Sequence, residues 1–238
     1  YMAEYSDFAG QLFSEFSYDE IVGIYGGSRG LEVVRGIDYG RTHPCVCLWG
    51  EIDVIGKVVY ITGEYKKSGN IIRENCKAIN LMNSGKEVLW SVIDPSARKH
   101  DQIVEISLID EFWDNGVACI AGDNGERGYD IVKMFLKCGM LKVAPYCKEL
   151  IHELENLQWG DKDGDDCTDA LRYMLVRIYD LYPQFREFGV RVEAKVLSKV
   201  EEKDKARRWL CNANNLMAMN KGRDADFSLP DWLRSEVA

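Results

Sequence analysis

Apolar residues in this chain recur with two periods, and the switches between them mark out its elements. Three β-rich segments come first, at about 33–39, 44–52 and 57–65, joined by Gly40-Arg41-Thr42-His43 and Asp53-Val54-Ile55-Gly56. Connections this short suit antiparallel hairpins. Helical spacing then takes over: Ile71, Ile72, Cys76, Ile79 and Met82 share overlapping faces over about 70–83, with Gly85 beyond the end. A strand follows at 87–93. Because it is reached through a helix, it is expected to run parallel to a neighbour in the same sheet.

From there the pattern alternates: a helix at about 99–113, the apolar run Val117-Ala118-Cys119-Ile120-Ala121, a helix at about 128–138, a short strand at 141–144 and a helix at about 147–157. The loop 159–164 leads into a last helix whose Leu171, Met174, Leu175 and Ile178 keep the i, i+3, i+4, i+7 spacing. Three antiparallel strands followed by alternating helix and strand predict an α/β fold, with a mixed central sheet flanked by helices. The core is expected over 33–183, after a lead-in at 1–32. The lead-in contains Gly26-Gly27-Ser28-Arg29-Gly30, which lacks the lysine and following helix of a phosphate loop. Past Pro183 the composition shifts. Residues 184–238 read as a helical extension, with Lys195, Lys199, Lys203, Lys205, Arg207 and Arg208 interleaved with acids.

Composition narrows the chemistry. A chain of 238 residues can bury one substantial core. No apolar run approaches the roughly 18 residues of a membrane span, and the acidic start lacks the apolar stretch of a signal peptide, so a cytosolic location is expected. The eight cysteines show no C-x-x-C spacing and are expected as reduced, buried thiols. Three scattered histidines do not point to zinc. A net charge of -9 argues against nucleic-acid binding through a bulk positive field. It leaves room for a nuclease, because acids that hold metal are negative where bound cations reverse the charge.

Several acids draw attention by their placement. In Gly164-Asp165-Asp166-Cys167-Thr168-Asp169-Ala170-Leu171-Arg172-Tyr173, Asp166, Asp169 and Tyr173 share the helix side facing away from the leucine stripe. Capping alone accounts for Asp166 as N-cap and Asp169 at N3. Asp38 and Asp94 lie at the ends of the apolar segments 33–39 and 87–93. Carboxylates there are costly unless a cation neutralises them, and oxygen ligands favour Mg²⁺ or Mn²⁺. If the fourth strand lies parallel beside the first, Asp38 and Asp94 become neighbours, and a helix end bearing Asp169 completes a triad.

That order of elements and acids resembles the RNase H-like nuclease fold. More narrowly, Gly36-Ile37-Asp38-Tyr39-Gly40, Ile93-Asp94-Pro95-Ser96-Ala97 and Asp165-Asp166-Cys167-Thr168-Asp169-Ala170-Leu171-Arg172-Tyr173 are similar to motifs of the large terminase subunit of tailed bacteriophages, in its C-terminal nuclease domain. The resemblance covers roughly 33–180. It implies a metal-dependent endonuclease that cuts concatemeric double-stranded DNA with two divalent cations, Mg²⁺ or Mn²⁺. Asp38, Asp94 and Asp169 would be catalytic metal ligands, Asp166 an auxiliary ligand, and Glu64 in Thr62-Gly63-Glu64-Tyr65 an additional acid. An exposed strand-end charge is the plainer reading of Glu64.

The stretch 4–13 is similar to the close of the family's ATPase domain, which implies that domain as a partner, along with the portal and the small terminase subunit, in the host cell cytoplasm. Lys66 and Lys67, expected in a loop before Gly69, and Arg98, Lys99 and His100 are the candidate DNA contacts. Solvated surface charge explains them nearly as well. An RNase H-like resolvase or recombinase, or a portal-docking module whose acids only cap and solvate, are the competing readings.

Overall fold

The computed structural model describes residues 10–24, 30–40, 43–83, 85–98, 107–123, 125–161, 164–189 and 191. Chain contacts divide the protein into Tyr1–Gly189 and Val190–Ala238, and all that follows concerns the first unit. Its strands are β1 (Glu32–Tyr39), β2 (Cys45–Asp53), β3 (Val58–Lys67), β4 (Val88–Ile93), β5 (Ile120–Ala121) and β6 (Leu141–Val143). Its helices are α1 (Tyr18–Ile21), α2 (Ile72–Met82), α3 (Leu108–Asp114), α4 (Arg127–Lys137), α5 (Lys148–Asn156) and α6 (Asp166–Leu181). A further helical segment covers 183–189.

The strands form one sheet in the order β5-β4-β1-β2-β3-β6. β2 is antiparallel to both β1 and β3, whereas β4 is parallel to β1, β5 to β4 and β6 to β3. The mixed sheet is therefore the one expected, with the strand after α2 laid parallel beside β1. The β2–β3 turn is closed by the Gly56 amide donating to Asp53 Oδ1 at 2.7 Å, with Lys57 in the left-handed region at φ 56°.

Side chains alternate between the two faces of the sheet. Val34, Val46, Leu48 and Val92 pack with Phe135, Leu154, Leu171 and Met174 on the side of α4, α5 and α6. Ile37, Cys47, Trp49 and Ile93 pack with Ile79 and Phe112 on the side of α2 and α3. Asp38 and Asp94 follow in the register of Val34 and Val92, so the alternation turns both towards α6. Leu12, Phe13 and Ile21 also lie in the first core.

Three elements depart from the sequence pattern. The apolar run 117–121 pairs as strand only at Ile120 and Ala121, because the Trp113 indole takes the carbonyl of Cys119 at 2.7 Å just before it. α3 opens at Leu108, where the Ser107 hydroxyl accepts from the Asp110 amide (3.2 Å) and the Asp110 carboxylate accepts from the Ser107 amide (3.1 Å). Residues 99–106, expected in the same helix, lie outside the described residues, as does Cys211. The remaining seven cysteines are free thiols, and all but Cys138 are buried.

The third departure is α6. Its spacing reads as a one-sided stripe, yet Asp166, Arg172 and Tyr173 are buried along with the leucines. The helix is sandwiched between the sheet and the helices α4 and α5. Its approach to the sheet is set by Gly36 on β1, where an added Cβ would lie 2.1 Å from the Ala170 carbonyl oxygen. At Gly50 on β2 the nearest atom to an added Cβ would be the Met174 sulfur, at 2.8 Å.

Gly36→Ala is expected to destabilise the fold by about 2–3 kcal/mol in urea unfolding, the upper part of the overpacking range, because helix backbone has to yield. Gly50→Ala should cost less, since a flexible methionine end can move.

Candidate metal centre

The C-terminal end of β1 is where the acids gather. Parallel pairing sets Ile37 opposite Ile93, and the Asp94 amide donates to the Ile37 carbonyl at 3.2 Å, so Asp38 and Asp94 are the next pair along two adjacent strands. Asp94 stays at the strand end because its Oδ1 accepts from the Ser96 amide within the short 3-10 turn Pro95–Arg98. Above this pair lies the first turn of α6. The Tyr173 hydroxyl is within hydrogen-bonding distance of Asp94 Oδ2 (2.9 Å) and Asp169 Oδ2 (3.1 Å), which brings those two carboxylates to a single point. Arg172 donates to Asp169 Oδ1 from Nε (3.1 Å) and Nη2 (2.8 Å), and its guanidinium lies over the rings of Tyr129 and Tyr173.

Asp38 completes the group electrostatically. Burial, followed by the charges of Asp169, Asp94, Asp166 and Asp165, pushes its pKa up to about 8. Asp165 is likewise raised, by burial and then by Asp169. The donor set is one of hard oxygens with an excess of negative charge, which fits Mg²⁺ or Mn²⁺. Among the described residues no group of three or more His, Cys, Asp or Glu side chains stands where, as placed here, it could hold a metal ion. In place of coordination, Asp94 and Asp169 are joined through the Tyr173 hydroxyl.

The second acid of α6 points elsewhere. Asp166 Oδ2 lies 3.0 Å from Lys66 Nζ, which also donates to Glu153 Oε1 at 2.8 Å. Lys66 and Lys67 are the last residues of β3, not a loop, because the β2–β3 ladder continues to Cys45↔Lys67. Burial works against the Lys66 charge, but the hydrogen bonds to Glu153 and Asp166 outweigh it, and its pKa is held above the ordinary lysine value. Glu153, 5% exposed, gives its other oxygen to the Thr168 amide at 2.7 Å. It thereby caps α6, whereas the N-cap residue itself is Asp165 and makes no side-chain cap bond. Sequence reasoning misses Glu153. The available signal is an acid between Ile151 and Leu154 on the apolar face of α5, where an unpaired charge is too costly to keep.

Glu64 sits in the same end region but is committed to the start of α5, accepting from the Glu149 amide (3.1 Å) and the Leu150 amide (2.7 Å). Burial raises its pKa and those two bonds pull it back. Arg98 and Lys67 are exposed near the ends of β4 and β3. Lys99 and His100 lie outside the described residues.

With this arrangement established, known structures can be set beside it. The chain superposes on the nuclease domain of the P22 large terminase with a TM-score of 0.63 at 18% identity, over 76% of this chain and 97% of that one. Its fold is that of a large-terminase nuclease domain. This is the RNase H-like arrangement of a mixed sheet between helices. A large terminase from a thermophilic bacteriophage also scores 0.63 at 21% identity, over 71% of this chain, which spans only 45% of that protein. The large-terminase nuclease domain of bacteriophage SPP1, solved with bound Mn, gives 0.50 at 16% identity over 66% of this chain and 96% of that one. No protein-family model and no curated protein sequence matches the chain.

The charge on Asp38 has a consequence for stability. Its raised pKa makes the folded state the better proton acceptor, so its contribution is full below about pH 4 and is lost as pH rises through about 8. In EDTA the melting temperature should therefore fall across that window. Asp38→Asn should flatten the fall, and Mn²⁺ should raise the wild-type melting temperature more at pH 8 than at pH 5.

Proposed function

We propose that this chain is the nuclease domain of a viral genome-packaging motor: a divalent-cation-dependent endonuclease that cuts concatemeric double-stranded DNA by phosphodiester hydrolysis. The observation that carries the reading is that Asp94 and Asp169 meet at the Tyr173 hydroxyl, beside Asp38, which neighbours Asp94 in the strand register and feels the charge of both. The fold shared with the large terminases of P22 and the thermophilic phage supports it. Asp38, Asp94 and Asp169 would hold divalent cations, two at full occupancy, with Asp166 as auxiliary ligand. Bound there, Mg²⁺ or Mn²⁺ supplies the Lewis acidity and the lowered pKa of water that hydrolysis of a phosphodiester needs.

The chain's own residues prepare that chemistry. Tyr173 keeps Asp94 and Asp169 facing one point in a site where acids predominate. Arg172, buried and stacked on Tyr129, fixes the rotamer of Asp169. Exposed Arg98 and Lys67 flank the site and are assigned to backbone phosphates, together with Lys99 and His100, which adjoin Arg98 in sequence. Lys66 belongs with the acids of α5 and α6. Glu64 serves the α5 N-terminus, so the reading places the metal on the aspartates. A net charge of -9 leaves few phosphate contacts, and affinity for DNA by the domain alone should be weak at physiological salt. Within the motor, an ATPase domain of the same polypeptide, the portal and the small terminase subunit are the proposed partners, in the host cell cytoplasm.

The chain is expected to nick and then linearise supercoiled plasmid in Mn²⁺ or Mg²⁺, with little sequence preference, and EDTA should stop it. Asp94→Asn keeps shape and removes charge. It should lower cleavage by about 100-fold or more, since even the outer partners of a metal site are worth 10–100-fold, while circular dichroism remains native. Cleavage at the wild-type rate by that variant would overturn the assignment.

A further inference from the structure

The first turn of α6 sends its two inner acids to opposite ends of one row. Strand register places Asp38 opposite Val46 and Val46 opposite Lys66, so Asp94, Asp38, Val46 and Lys66 lie side by side across four strands on the face that α6 covers. Asp169 reaches the Asp94 end through Tyr173. Asp166 reaches the Lys66 end, and Asp38 lies between them. The charge of Asp166 acts on Asp38 as those of Asp169 and Asp94 do.

At the Asp166 end a cation is already built in. Asp166 and Glu153, 7% and 5% exposed, share the single ammonium of Lys66, at 3.0 Å and 2.8 Å. Two buried carboxylates side by side are tenable only with positive charge between them. Lys66 does not depend on Asp166 alone, since Glu153 is held independently by the Thr168 amide and remains as a partner. There is also room for the ammonium to withdraw. A cavity of about 330 Å³ adjoins it, lined by Lys66, Glu149, His152, Glu153, Asn156 and Asp161 among others, so further carboxylates stand where the side chain would swing.

Resting on the nuclease reading above, we propose that the Lys66 ammonium holds the place of the second divalent cation. It occupies Asp166, so the centre fills in two steps. The first ion enters among Asp38, Asp94 and Asp169. The second binds more weakly, because it has to displace Lys66 from Asp166. Lys66 is thus a positioning residue that keeps the centre folded while incompletely loaded and sets the cation concentration at which it becomes complete.

Titration calorimetry with Mn²⁺ on the metal-stripped 238-residue chain tests this. Wild type should bind two ions, the second much the weaker. Lys66→Gln should tighten the second step by about tenfold or more, as expected from removing a unit charge a few ångströms away, and Lys66→Arg should behave as wild type. In EDTA, Lys66→Gln should melt below wild type, and Mn²⁺ should raise its melting temperature by more than it raises that of wild type, the ion replacing the lost ammonium. A second-step affinity unchanged by Lys66→Gln overturns the proposal while leaving the nuclease reading intact. Absence of Mn²⁺ binding in every form overturns both. Should Lys66→Gln fail to fold, Asp166→Asn decides: one ion bound supports the proposal, and two overturn it.

Discussion

Among the described residues the tightest glycine contact is that of α6 with β1, where the absence of a side chain at Gly36 lets the Ala170 carbonyl sit against the strand. One residue either way along α6 are Asp169 and Leu171, so this contact fixes both the depth of the acid and the seating of the core stripe. Two positions further along β1 is Asp38, on the same face. The separation between the acids of β1 and α6 is therefore set by backbone packing, which deforms little, and not by side-chain rotamers. The remaining helices on that face bury the outer side of α6 and hold it in place.

Packed so closely, the acids need answers to their charge, and the structure gives each a different one. Asp94 and Asp169 share a phenolic hydroxyl, Asp169 also has Arg172, and Asp166 has Lys66. Asp38 has no cationic partner among the described residues, and burial, followed by the charges of the neighbouring aspartates, raises its pKa to about 8. A carboxylate left in this condition is one that the fold does not satisfy by itself.

Much of this is legible in the residues. Alternation and helical spacing yield the run of strands and helices, and the rule that a strand reached through a helix runs parallel places Asp94 beside Asp38. What the pattern does not carry is the depth of α6. Periodicity reports which side of a helix is most apolar, and it does not register that Asp166, Arg172 and Tyr173 are also enclosed, because they are buried by pairing with one another and with distant residues. Lys66 escapes a local reading for the same reason. Its partners lie 87 and 100 positions away, on α5 and α6, and nothing nearby in the sequence distinguishes it from its exposed neighbour Lys67. Glu153 is the more readable case, since a lone acid on an apolar helix face signals a buried partner.

The acids also come from widely spaced parts of the polypeptide, and chains are synthesised from the N-terminus. Asp38 emerges from the ribosome first, Asp94 with β4, and Asp169 more than a hundred residues after Asp38. The sheet end cannot become the proposed cutting centre while α6 is still unmade, because both the third carboxylate and the hydroxyl that joins it to Asp94 arrive with that helix. A truncated or stalled product ending before α6 would carry two of the three acids, without the third or the hydroxyl that joins it to Asp94. The late position of α6 thus makes completion of the domain and acquisition of its chemistry the same event.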